Sequence, residues 1–109
     1  MFGFNNNIGA EGERIIEALY NRFKRNPAYV NLNITKGYDG STYIQISNGS
    51  YMLNRFSFYG MNGKLHSITI YGTNIRELMS TINSSKKIFG LPVDEVTWEG
   101  EYIDVTLDL

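Results

Sequence analysis

One histidine and no cysteine set narrow limits on the chemistry of this chain. A Ser-His-Asp triad has only His66 for its base, and no nucleophile-elbow motif supplies a serine for it. Disulfides and cysteine-based zinc or redox sites are excluded. Carboxylates are then the leading metal ligands. Asp94, Glu95, Glu99, Glu101, Asp104 and Asp108 gather near the C-terminal end, but not at the spacing of a calcium loop. The glycines punctuate turns, and none forms a Gly-x-Gly-x-x-Gly fingerprint or a phosphate loop. The expectation is a protein that is not an enzyme and has no metal and no cofactor.

Binding chemistry has two candidate seats. All 10 basic groups precede residue 91, whereas six of the 11 acidic groups follow it. The acidic end carries Glu95, Trp98, Glu99, Glu101, Tyr102 and Asp104. Carboxylates beside Trp and Tyr suit a protein partner, because aromatic anchors dominate interface energetics. The carboxylates could also stand in for phosphates in the basic groove of a nucleic-acid enzyme. Acidic residues on an edge strand equally deter edge-to-edge aggregation. The second seat is basic: Arg22, Lys24, Arg25 and Lys36, interleaved with Tyr20, Tyr29 and Tyr38, with Tyr43 and Tyr59 as further stacking rings on the sheet. Cations plus aromatic rings on a sheet are a means of holding single-stranded nucleic acid. The pI near 5.7 argues against that alternative, since such domains are usually basic.

These residues need elements to position them. The chain has 109 residues, 42% of them apolar, which is one domain with a sizeable core. Residues 1–9 read as a flexible arm and 10–109 as the domain. Ile15, Ile16, Leu19, Tyr20 and Phe23 share one helical face, predicting a helix from Glu11 to Asn26 before Pro27. Period-two alternation follows in 28–36 and 41–47, and the Asn48-Gly49 pair reads as a hairpin turn. Residues 51–59 form a third strand whose parity demands a bulge near Asn54-Arg55 if Leu53, Phe56 and Phe58 are all to face the core. Met61-Asn62-Gly63 reads as a three-residue turn into a strand over 64–71, on which His66 shares the parity of Ile68 and Ile70. A second helix starts after Thr73 or Asn74, with Asn74 and Glu77 as a capping pair and Gly90 just past its end. Two strands, 94–98 and 102–108, flank the turn at Glu99-Gly100.

The order α-β-β-β-β-α-β-β predicts an α+β fold: an antiparallel sheet with two helices packed on one face. No signal peptide or membrane span is evident, so the expected setting is cytoplasmic. Asn and Ile, with AT-rich codons, are abundant and Ala is scarce. The expected function is a small protein-binding module, with a phage- or mobile-element-encoded inhibitor of a host enzyme as its sharper form. Single-stranded nucleic-acid binding and self-assembly, including a homodimer, are the alternatives.

Overall fold

Helix α1 (Gly9–Phe23) begins two residues earlier than its apolar spacing suggests, because Ile8 anchors its start. Ile8, Ile15, Ile16 and Leu19 are all buried, and the helix lies on one face of a sheet. The computed structural model describes residues 7–23, 30–48, 54–72 and 74–109. The sheet is built from β1 (Val30–Lys36), β2 (Thr42–Asn48), β3 (Asn54–Met61), β4 (Lys64–Gly72), β5 (Lys87–Ile88), β6 (Leu91–Trp98) and β7 (Tyr102–Leu107). Helix α2 (Ile75–Ser85) stands between β4 and β5. All pairings are antiparallel, in the order β1-β2-β3-β4-β7-β6-β5. The α+β expectation is met, and the two-residue β5 is an addition to it.

Cross-strand partners share a face of a pleated sheet. One row runs Ile44, Phe58, Ile68, Val105, Val96; its neighbour runs Ile46, Phe56, Ile70, Ile103, Trp98. Ile44, Ile46, Phe58, Ile68, Ile103 and Val105 are fully buried in these rows. Both helices pack on this side: α1 on β2, β3 and β4, and α2 on β4, β5, β6 and β7.

A close approach seats the start of α1. A Cβ on Gly60 of β3 would lie 2.6 Å from both the Asn7 carbonyl oxygen and the Ile8 Cα. Only glycine leaves room there. The Asn7 side-chain amide donates to Gly40 O at 2.9 Å and to Thr42 Oγ1 at 3.1 Å, tying this segment to the β1–β2 loop. Of the expected arm, Asn7, Ile8 and Gly9 are thus part of the packed unit; 1–6 lie outside the described residues.

Several local expectations are corrected. Strand β3 pairs with β2 without irregularity from Asn54 to Gly60, so no bulge occurs at Asn54-Arg55. Leu53 and the Gly49 position of the expected Asn48-Gly49 turn lie outside the described residues. The bulge is instead on β4, where Tyr59 pairs with Ser67 but Gly60 with Leu65. His66 is the extra residue. Leu65 and Ile68 both reach the core, an impossible parity in a regular strand, and His66 is turned outward. A second bulge at Asp94 lets Val93 and Val96 share the core side. The β3–β4 connection is a two-residue turn, not three: Met61 pairs with Lys64, and Asn62 and Gly63 have φ of 56° and 76°. Positive φ at both central residues is the pattern of a type I′ turn. Phe89 and Gly90 make the same pattern between β5 and β6, with φ of 50° and 80°. Gly90 therefore does not cap α2. Lys86 does, in the left-handed region, its N–H donating to Ile82 O at 2.7 Å. Asn74 occupies the N-cap position, but its side chain makes no capping hydrogen bond.

Candidate functional site: the open face of the sheet

The face opposite the helices is built by the alternate residues of the same strands. Three rows cross it. The first holds Thr35, Tyr43, Tyr59, Ser67, Thr106 and Glu95. The middle row holds Asn33, Gln45, Ser57, Thr69, Asp104 and Thr97. The third holds Asn31, Ser47, Arg55, Tyr71 and Tyr102. None of these side chains is aliphatic, which is why the face needs no helix over it.

Aromatic rings gather at two corners. Tyr43 and Tyr59 stand 4.8 Å apart between ring centroids, and the bulge brings the His66 ring to 5.9 Å from Tyr59. Tyr43 is 48% exposed. At the other corner, Tyr71 and Tyr102 are 4.9 Å apart, and the Arg55 guanidinium lies 3.7 Å above the Tyr71 ring centroid. This is close cation–π geometry, which fixes an otherwise flexible side chain over a flat ring. The corners lie two rows apart, about 13 Å along the strands. The strip between them is polar. Thr69 Oγ1 donates to Asp104 Oδ1 at 3.2 Å, which orients the half-buried Asp104 carboxylate in the middle of the sheet.

The residues singled out from sequence are divided by this geometry. Glu95, Tyr102 and Asp104 lie on the open face. Trp98 lies on the helix side: it pairs with buried Ile103, Arg76 of α2 stacks on its ring at 4.6 Å, and its Nε1–H donates to Gly100 O at 2.7 Å. Glu99 and Glu101 flank Gly100 at the turn, where Glu99 N–H donates to Tyr102 O at 2.9 Å. The acidic hairpin is therefore not one surface. Alternation and a tight turn place Trp98 and Tyr102 on opposite faces.

The basic set is divided as well. Arg22 is exposed on α1, on the helix side, whereas Tyr43 is on the open face. Lys36 ends β1 in register with Thr42 and Gly60, also on the helix side. Lys24, Arg25 and Tyr29 lie outside the described residues. Across the three open rows the charged groups are Arg55, Glu95 and Asp104, so the face carries no excess of positive charge.

Tyr71, Arg55 and His66 were not in either sequence-derived set, whereas Tyr59 was, as a stacking ring beside Tyr43. The alternation of β3 and β4 did place Tyr59, Tyr71 and Arg55 off the core parity; His66 needed knowledge of the bulge. No group of three or more His, Asp or Glu side chains is arranged to hold a metal ion among the described residues. No helix among them is long and apolar enough to cross a membrane. Comparisons with protein-family models, with curated proteins and with solved structures find no match to this chain.

Proposed function

We propose that this chain is a non-enzymatic protein-binding module and that its binding surface is the open face of the sheet. The pairing of two tyrosine corners across three rows free of aliphatic side chains carries the reading. Tyr and Arg are the residue types enriched at interface hot spots, and Lys is depleted there. Tyrosine also offers a large, rigid contact at low entropic cost. A bare sheet of solvated polar residues would need neither the 4.8 and 4.9 Å ring pairs nor an arginine stacked on one of them.

The carboxylates contribute selectively. Glu95 and Asp104 share the face with the tyrosines and favour a partner with complementary donors or cations. Glu99 and Glu101 act at its rim, where charge affects association rate more than affinity. Binding of single-stranded nucleic acid is the weaker reading, because phosphates require cations and Arg55 is the one basic residue in the three rows.

The test is a pull-down from a lysate of low-GC bacteria, with and without nuclease, comparing the unaltered chain with Tyr59→Ser/Tyr71→Ser and with Trp98→Ser. The proposal expects one protein to be recovered in stoichiometric amount, to survive nuclease, to be lost with the double variant and to be kept with Trp98→Ser. Recovery that ends on nuclease treatment supports the nucleic-acid reading instead. Recovery unchanged by the double variant contradicts the open face as the binding surface.

A further inference from the structure

The two edges of the sheet are finished differently. At one edge, β6 is guarded: the two-residue β5 covers Leu91 and Pro92, a bulge at Asp94 breaks the ladder, and Asp94 and Glu95 place charge along it. Proline, bulges, charge and short edge strands are the usual means of blocking further strand pairing. At the other edge, β1 lacks them apart from one terminal charge. It pairs with β2 in unbroken register over seven residues, from Val30–Asn48 to Lys36–Thr42. It has no proline or bulge, and Lys36 at its end is its one charged residue. No described strand pairs with its outer side.

Among the described residues, the main packing of the helices is on the strands inside this edge. The apolar row Val30, Leu32, Ile34 continues the core parity, since Leu32 pairs with buried Ile46 and Ile34 with buried Ile44. Yet Ile34 is 47% exposed, and Val30 and Leu32 are only partly buried.

We propose that β1 pairs with β1 of a second copy of this chain, antiparallel about a two-fold axis through Asn33. The register is self-complementary. Leu32 of each copy meets Ile34 of the other on the helix side, so each half-exposed residue gains an apolar neighbour. Asn31 meets Thr35, and Asn33 meets Asn33, on the open side. The two Lys36 residues fall at opposite ends of the shared ladder, about 20 Å apart, beyond the screening length in physiological salt. A ladder of this length is at the low end of the area that stable dimers bury, so the dimer is weak and concentration-dependent. The two-fold axis stands perpendicular to the sheet, so both open faces lie on one side of a continuous sheet. A partner with two copies of its epitope is then bound with avidity.

Sedimentation equilibrium over about 10 μM to 1 mM tests the pairing. The expected result is a rise from the 12.4 kDa monomer towards twice that mass, abolished or shifted at least tenfold in concentration by Ile34→Lys. Ile34 is exposed enough for that variant to fold, which thermal unfolding verifies. Cysteine cross-linking reads the register independently, because the chain has no cysteine of its own. Asn33→Cys places two thiols on the axis, within disulfide reach; Thr35→Cys places them about 13 Å apart, out of reach. Oxidation should cross-link the Asn33→Cys variant at least tenfold faster than the Thr35→Cys variant. A monomer at every concentration overturns the proposal. So does a dimer that ignores Ile34→Lys, or equal cross-linking at the two positions, since either puts the contact elsewhere.

Discussion

The two faces of the sheet use the same strands for opposite ends. On the helix side, β2, β3, β4 and β7 present Ile44, Ile46, Phe58, Ile68, Ile70, Ile103 and Val105, all buried. On the open side the residues between them are Tyr43, Gln45, Ser57, Tyr59, Thr69, Tyr71, Tyr102 and Asp104. One face is filled mainly with branched aliphatic groups that pack at interior density. The other carries rings and polar groups that tolerate water. The difference separates stability from recognition within a single set of strands: substitutions on one face should unfold the chain, and substitutions on the other should disarm it.

The helix side should respond most strongly. Phe58 is fully buried at the centre of its row, so Phe58→Ala should cost about 3–5 kcal/mol, read by urea denaturation. A small loss there would mean that the core is not organised around this row. Gly60→Ala tests the seat of α1. Its Cβ would meet the backbone of Asn7 and Ile8, and a loss of about 1–3 kcal/mol is expected for such overpacking. The open face should show the reverse balance. Tyr71→Ser removes one cross-strand ring and the platform for Arg55, at a cost to stability of about 1 kcal/mol or less. Its effect on partner affinity should be at least about tenfold. If unfolding and binding fall together in that variant, the division between the faces fails.

The smallest effect lies in the β1–β2 loop. Asp39 Oδ1 accepts hydrogen bonds from the Ser41 hydroxyl and the Ser41 N–H, at 2.5 and 3.0 Å. The hydroxyl bond is the larger cause, and together they hold the Asp39 carboxyl below its ordinary value of 3.8. A folded value below the unfolded one stabilises the fold above pH 3.8, and that contribution is lost as pH falls through the folded value. Ser41→Ala should return the Asp39 titration, followed by carboxyl NMR shifts, towards 3.8. An unmoved titration would remove the hydroxyl as its cause.

Much of this contrast was legible in the sequence. Period-two alternation in β1, β2 and β4 assigned Ile44, Ile46, Ile68 and Ile70 to one face because strand geometry leaves no other outcome. The helical spacing of Ile15, Ile16 and Leu19 marked α1 for the same reason. Alternation fails where a single residue is inserted. Leu65, His66 and Ile68 could not be assigned without knowing that Gly60 opposes Leu65, which is a property of the pair of strands and not of β4 alone. The candidate site suffered from a related limit. Glu95, Trp98 and Tyr102 are close in sequence, but proximity along a hairpin says nothing of which face each side chain takes. The placement of β7 beside β4 depends on contacts across α2 and β6, which no local pattern encodes. The tyrosine corners are assembled from four strands and emerge only when that order is known.

Hydroxyl-radical footprinting of the purified complex with the captured partner tests the central claim most directly, because it reads individual side chains on each face. Tyr43, Tyr59, Tyr71 and Tyr102 report the open face, and Trp98, 44% exposed beside α2, reports the other. The account predicts that oxidation of the four tyrosines drops several-fold on complex formation while that of Trp98 is unchanged. Protection of Trp98 with the tyrosines unaffected would contradict it.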